Sequence, residues 1–133
     1  MEARETVHDL LAEARRELQR LAPEAAYAAL QQGAVLIDTR APDCRRRHGH
    51  IPGALHYPLS VLEWRVCPSD ESGETALGFD QQIIVVCNEG YSSSLAAARL
   101  RRLGFHAATD LIDGFEGWKA AGLPVLQAES GAP

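Results

Sequence analysis

Apolar and charged residues alternate with a helical period in the first part of the chain. The apolar positions recur at Val7, Leu10, Leu11, Ala14, Leu18 and Leu21. This spacing predicts an amphipathic helix over residues 6–21, with Thr6 as its N-cap. The charged residues between these positions are expected on a solvated face; they are Arg15, Arg16, Glu17 and Arg20.

Two later segments are apolar at nearly every position, without the alternation typical of a half-exposed strand. They read Ala34-Val35-Leu36-Ile37-Asp38 and Ile83-Ile84-Val85-Val86-Cys87. Strands of this kind are normally buried on both faces, as in a parallel sheet covered by helices. Residues 109–112 are a weaker third candidate for a strand.

Predicted helices separate these strands along the chain. Pro23 suits a first helical turn and begins a helix over 23–32, a second helix covers 92–103, and a third covers 115–121. Strands that alternate with helices predict an α/β domain with a central, mostly parallel sheet. The polar stretch 68–80 is predicted to be an exposed loop, and residues 127–133 a disordered tail.

Size and charge narrow the class of protein. The chain has 133 residues, enough for one domain with one core. Its formal net charge of -5 argues against nucleic-acid binding, which usually needs a basic surface. No apolar run is long enough to cross a bilayer, and charges interrupt the N-terminal pattern of a secretory signal. We therefore expect a cytoplasmic protein with neither nucleic-acid nor membrane partners.

The three cysteines are widely spaced. Cys44, Cys67 and Cys87 form no Cys-x-x-Cys pair, and we expect free thiols in a reducing compartment. Cys44, His48 and His50 also lack a recognised zinc spacing, so no metal site is predicted.

Cys87 ends a buried strand and is followed by a tight turn that leads into a helix. In open α/β sheets, ligands usually bind at this edge. Gly90 can adopt positive φ, and the turn can direct successive backbone N–H groups at the sulfur. These dipoles and the helix N-terminus would stabilise a thiolate or a persulfide and lower the pKa of the thiol. Cys87 is therefore the predicted nucleophile.

Three further motifs make the chain similar to the rhodanese-like domain family. They are Leu36-Ile37-Asp38-Thr39-Arg40, Gly49-His50-Ile51-Pro52-Gly53-Ala54 and Asp110-Leu111-Ile112-Asp113-Gly114-Phe115-Glu116-Gly117-Trp118. The resemblance implies a rhodanese-like α/β fold over 23–126, with residues 1–22 as an additional N-terminal helical extension. It also implies sulfur transfer through a persulfide on Cys87, with no cofactor, from a small sulfur donor to a thiol or other thiophilic acceptor, which could be a protein.

The loop after Cys87 departs from the pattern of many active members of this family. Those members carry basic side chains where this chain has Asn88 and Ser92, and Glu89 adds a negative charge. An acidic residue beside a dianion is unfavourable at short range. We therefore expect weak use of thiosulfate, or a less charged sulfur donor. A phosphatase loop would need arginine at the position of Ser93 to bind a phosphoryl group, which argues against phosphatase chemistry.

The other candidate residues surround this loop. Ser92 and Ser93 are expected to cap the following helix and to offer a hydrogen bond to the sulfur. Tyr91 is a candidate for the mouth of the site. Asp38 and Arg40 are expected as a supporting ion pair at the same sheet edge, and Arg40 is the best candidate for a missing positive charge.

Two other functions remain open. The unusual loop also suits a rhodanese-like binding or regulatory module with little or no sulfur transfer. A thiol-based redox sensor would pair Cys87 with Cys67 or Cys44, provided that the geometry of a disulfide is met.

Overall fold

The computed structural model describes residues 4–67 and 77–127. Within them the helices are α1 (Val7–Arg15), α2 (Pro23–Gln31), α3 (Pro42–His48), α4 (Leu62–Val66), α5 (Ser92–Arg102) and α6 (Gly114–Ala120). The strands are β1 (Val35–Asp38), β2 (Leu55–His56), β3 (Ile83–Val86) and β4 (Ala108–Asp110). They form one parallel sheet in the order β2-β1-β3-β4, which confirms the predicted α/β fold.

Helices cover both faces of the sheet, as the unbroken apolar strands predict. Ile83 and Val85 of β3 pack on one face into a cluster that includes residues of α4 and α5. Ile84 and Val86 pack on the other face with α2 and with Trp118 of α6. Each buried aliphatic side chain contributes roughly 1.5–3 kcal/mol to the stability of the fold. A position inside the sheet, with helices on both faces, buries all four side chains of β3.

The first helix is shorter than predicted. Thr6 does cap it, since its hydroxyl accepts from the Asp9 amide at 3.0 Å and its amide donates to the Asp9 carboxylate at 2.9 Å. The helix ends at Arg15, however, and does not continue to Leu21. Leu21 instead forms a parallel bridge with Leu111 at the β4 edge of the sheet. The end of the segment that was predicted as helix therefore makes strand-like hydrogen bonds to the β4 edge of the sheet instead of helical ones.

The remaining helix and strand predictions are correct within one or two residues at their ends. The prediction missed α3, β2 and α4, which are too short to show a clear period. Most of the predicted loop 68–80, namely 68–76, lies outside the described residues, as does the predicted tail beyond residue 127. In the described part of the chain, no helix combines the length and apolar character required to cross a membrane.

Candidate active site

Cys87 lies directly after β3, at the carboxyl edge of the sheet, and its residue is only 7% exposed. Its Sγ accepts a hydrogen bond from the Gly90 amide at 3.1 Å and from the Ser93 amide at 3.4 Å. Residues 87–92, which we call the Cys87 loop, therefore curl around the sulfur before α5 begins at Ser92. This is the arrangement that the sequence predicts for a backbone-cradled sulfur.

The first turn of α6 holds the other side of this loop. The Phe115 amide donates to the Cys87 carbonyl at 2.9 Å, and the Glu116 amide donates to the Asn88 carbonyl at 3.1 Å. The approach is so close that a Cβ on Gly114 would lie 2.5 Å from the Cys87 carbonyl oxygen. Gly90 has φ +92°, and a Cβ there would lie 2.9 Å from the Asp113 amide nitrogen. The loop therefore requires glycine at both positions.

These contacts occupy the Cys87 and Asn88 carbonyls, whereas several amides of the loop are available. Among residues 4–67 and 77–127, no hydrogen-bond acceptor is found for the amides of Glu89, Tyr91 and Ser92. Amides that surround a sulfur and lack a protein acceptor can bind an added anionic atom. The side chains of Glu89 and Tyr91 are exposed, and that of Asn88 is half-buried beside Cys44.

Two opposing influences act on the thiol of Cys87. Burial raises its pKa, but hydrogen bonds from Ser93, Ser92 and Gly90 favour the thiolate more strongly, and the pKa lies below its ordinary value. The lowered pKa increases the thiolate fraction at neutral pH, and the thiolate is the nucleophilic form.

Asp110 organises the start of α5 beneath the sulfur. This carboxylate, at the end of β4, is fully buried and accepts from the Ser93 hydroxyl at 2.7 Å and the Ser94 hydroxyl at 2.8 Å. An ionised carboxylate can only accept, so the single hydroxyl proton of Ser93 is directed to Asp110. The backbone amide of Ser93 remains on the sulfur, and Ser92 is left as the serine whose hydroxyl can donate there.

Two arginines of the N-terminal segment reach the same region. Arg15 Nη2 donates to the Gly90 carbonyl at 2.8 Å, and its Nε donates to the Ser94 hydroxyl at 2.9 Å. Arg20 Nη2 donates to the same carbonyl at 3.2 Å, and its Nε donates to Asp110 at 2.8 Å. The expectation of a solvated face for these two arginines is therefore wrong. Their positions beside the apolar stripe carried no signal for such long-range contacts.

The predicted ion pair between Asp38 and Arg40 is present and buried. Arg40 Nη2 lies 2.9 Å from the Asp38 carboxylate and also donates to the Gly49 carbonyl at 2.8 Å. Its guanidinium carbon stacks 3.9 Å from the centre of the Phe115 ring. Asp38 also pairs with Arg45, whose Nε lies 3.2 Å from the carboxylate, so two guanidinium groups share this one negative charge.

The other two cysteines lie at different distances from the loop. Cys44 Sγ is 4.0 Å from Asn88 Oδ1, directly beside the residue that follows Cys87. Cys67 instead lines a depression with Arg99, Arg102 and Leu103. These residues lie near the C-terminal end of α5, roughly 10–15 Å along its axis from the end next to Cys87. Cys44 is thus the better placed of the two for chemistry with Cys87. In the described part of the chain, no three His, Cys, Asp or Glu side chains are grouped to hold a metal ion.

Solved structures share this architecture. A protein of unknown function from Rhodopseudomonas palustris, described as a possible tyrosine phosphatase, is 26% identical with a TM-score of 0.80, over 94% of this chain and 97% of that one. The polysulfide-sulfur transferase homodimer of Wolinella succinogenes is 25% identical with a TM-score of 0.74, over 93% of this chain and 89% of that one.

Sequence relatives lead to the same family. The thiosulfate sulfurtransferase GlpE of Haemophilus influenzae is 35% identical over 106 residues, which cover 79% of this chain and 91% of the relative. GlpE of Pseudomonas syringae is 35% identical over 103 residues, 77% of this chain and 89% of the relative. Residues 22–121 match the sequence profile of the rhodanese-like domain, and the chain belongs to the rhodanese-like domain family.

Proposed function

We propose that the protein is a sulfurtransferase that carries a sulfane sulfur atom on Cys87 and delivers it to a thiophilic acceptor. The observation that carries this proposal is the Cys87 sulfur, which has two backbone N–H donors at 3.1 and 3.4 Å and a lowered pKa. The relatives named as thiosulfate sulfurtransferases and the structural neighbour named as a polysulfide-sulfur transferase support the same reaction class.

The cycle has two displacement steps. The Cys87 thiolate attacks the sulfane sulfur of the donor, a bond to that sulfur forms, and the donor leaves with the electron pair of the broken bond. With thiosulfate the leaving group is sulfite, and Cys87 becomes a persulfide anion. An acceptor thiolate then attacks the outer sulfur, which leaves with the acceptor as a persulfide and returns Cys87 as a thiolate. The amides of Tyr91 and Ser92 are available to stabilise the outer sulfur.

The choice of donor follows from the charges around the loop. Glu89 is exposed at the loop, and Asn88 and Ser92 carry no positive charge. We propose that thiosulfate, a dianion, is a weak donor here and that organic persulfides, which carry a single charge at most, transfer sulfur more efficiently. The value of kcat/KM for each donor tests this proposal. Glu89→Gln should raise kcat/KM for thiosulfate more than kcat/KM for a singly charged organic persulfide. Efficient turnover of thiosulfate by the unmodified protein would contradict the proposal.

Intact-mass measurement tests the persulfide directly. After incubation with polysulfide and removal of excess donor, the protein should gain one sulfur atom, and an acceptor thiol should remove it. Cys87→Ser should abolish this gain, whereas Cys67→Ser, remote from the loop, serves as the matched control and should retain it. A wild-type protein that gains no sulfur from thiosulfate, polysulfide or an organic persulfide would refute the proposal and favour a binding module.

A redox switch is the second candidate function, and the position of Cys44 beside Asn88 favours it. Under a mild peroxide, Cys87 and Cys44 would lose two hydrogen atoms and form a disulfide, with the peroxide reduced to water or alcohol. Loss of two hydrogens that depends on Cys44 but not on Cys67 would support this function. A mass unchanged by the oxidant would exclude it.

A further inference from the structure

Two guanidinium groups converge on one carbonyl oxygen of the Cys87 loop. Arg15 reaches the Gly90 carbonyl from α1 at 2.8 Å, and Arg20 reaches it from the turn after α1 at 3.2 Å. Both arginines precede residue 22, where the match to the rhodanese-like domain begins. The N-terminal segment therefore contributes side chains to the loop that the matched domain does not contain.

We propose that Arg15 and Arg20 are positioning residues of the sulfur-transfer site, which hold the Gly90–Tyr91 peptide so that its N–H faces the sulfur being transferred. This inference rests on the proposed function and adds to it the residues that preorganise the loop. Neither arginine reacts with sulfur; each acts through the Gly90 carbonyl.

The geometry of the peptide explains how the contact works. In a trans peptide, the Gly90 carbonyl and the Tyr91 N–H point in opposite directions. Two cations bound to the oxygen therefore direct the N–H to the other side of the loop, where it has no acceptor among the described residues. Glycine at position 90 makes rotation of this peptide easy, because it has no Cβ to restrict it. A rotated peptide would present a carbonyl oxygen to an anionic sulfur, and the two would repel.

The same contacts supply positive charge that the loop side chains lack. Arg20 is paired with the buried carboxylate of Asp110, whereas Arg15 donates to two neutral groups, the Gly90 carbonyl and the Ser94 hydroxyl. The Arg15 guanidinium therefore brings a positive charge to the backbone of the loop, where Asn88 and Ser92 carry none. A cation on a carbonyl also polarises its peptide and strengthens the N–H as a donor.

Charged and titratable groups also stand on the elements next to the loop. They are Glu89 in the loop, Asp38 and Arg40 at the end of β1, Cys44 and Arg45 of α3, and Asp113 and Glu116 at the start of α6. A substitution at position 15 alters none of these side chains; it removes the hydrogen bonds to the Gly90 carbonyl and to the Ser94 hydroxyl.

Arg15→Gln tests the proposal, and Arg16→Gln is its matched control. Arg16 is the next residue, carries the same charge and pairs with the exposed Glu13, away from the loop. Arg15→Gln should lower kcat/KM for polysulfide by on the order of tenfold, as expected for the loss of a charged hydrogen bond. It should also move the midpoint of the pH profile for Cys87 alkylation to higher pH. Arg15→Lys should restore part of both losses, and Arg16→Gln should match the wild type.

The alkylation profile separates this proposal from the proposed function, because it needs no sulfur donor. If the wild type transfers no sulfur and Arg15→Gln still shifts the profile, the proposed function fails and the positioning of the loop stands. If Arg15→Gln and Arg16→Gln give the same profile and the same kcat/KM, the positioning role is overturned. Circular dichroism and thermal unfolding show whether Arg15→Gln is folded. Should it be unfolded, Arg15→Lys and Arg20→Lys, measured in the same way, decide the question.

Discussion

On its α6 side, the Cys87 loop is held by backbone alone: amides of α6 bind the Cys87 and Asn88 carbonyls, and glycines allow the chains to touch. On its N-terminal side, the loop is held by the guanidinium groups of Arg15 and Arg20. The first set of contacts depends on shape and tolerates no added atom at Gly114. The second depends on charge and can be altered without steric conflict. The comparison shows that one loop can have both a rigid support and an adjustable one.

Disrupting the contact between α6 and the Cys87 loop should have the largest effect on both stability and sulfur transfer. Gly114→Ala would place a Cβ 2.5 Å from the Cys87 carbonyl oxygen at φ +57°. We expect the free energy of unfolding to fall by about 3 kcal/mol, and sulfur transfer to be lost, because the loop must move away. Urea unfolding measures the first quantity, and a steady-state assay the second. Gly122→Ala, at φ +77° with open space around it, is the control for φ alone. Equal losses in both variants would contradict the role of close contact.

Breaking the charged side at Arg20 should have a smaller effect on stability. Among residues 4–67 and 77–127, Arg20→Met leaves the fully buried Asp110 carboxylate with two serine hydroxyls as its side-chain partners. Since removal of one partner from a buried ion pair is destabilising, and Arg20 keeps some contact with solvent, we expect a loss of about 2 kcal/mol in urea unfolding. Arg46→Met removes an exposed pair with Asp43 and should leave the midpoint of urea unfolding unchanged. If the two variants are equally stable, the buried pair is not a structural support.

A third variant changes a hydrogen bond to the sulfur and leaves the contacts of the loop with α6 and with the two arginines intact. Ser92→Ala removes a hydroxyl that lowers the pKa of Cys87. We expect the midpoint of alkylation against pH to rise, with unfolding unchanged, because the thiolate loses one hydrogen-bond donor. Ser60→Ala, in an exposed turn, should leave the midpoint unchanged. No difference between the two serine variants would show that the amides alone stabilise the thiolate.

The smallest expected effect is on the pH dependence of folding. The pKa of Cys87 is lower in the folded protein, so between the folded and unfolded pKa values the unfolded chain binds more protons. Stability from this thiolate is therefore fully present above the unfolded pKa and is lost as pH falls through the folded pKa. Urea unfolding of the wild type and Cys87→Ser at several pH values measures it as a difference. A difference that does not increase with pH would contradict the lowered pKa.

Local patterns account for most of the agreement between sequence and structure. The apolar runs before Asp38 and Cys87 predict β1 and β3, because short runs that are apolar at every position are typical of strands buried on both faces. The prediction failed where long-range contacts compete with local preference. The stripe that suggested a helix as far as Leu21 is real, yet Leu21 pairs with Leu111 and the helix ends at Arg15.

Some features of the candidate site could likewise be predicted from local sequence, and others depend on long-range contacts. The chain order of strand, cysteine, glycine turn and helix determined by itself that Cys87 would lie at the sheet edge among backbone amides, since these residues are neighbours in sequence. Only the tertiary structure decided that Arg15 and Arg20 would meet Gly90, some 70 to 75 residues away along the chain. A charged residue beside an apolar stripe looks the same in sequence whether it faces water or a distant carbonyl. Its partner is determined by how α1 packs, which no local pattern encodes.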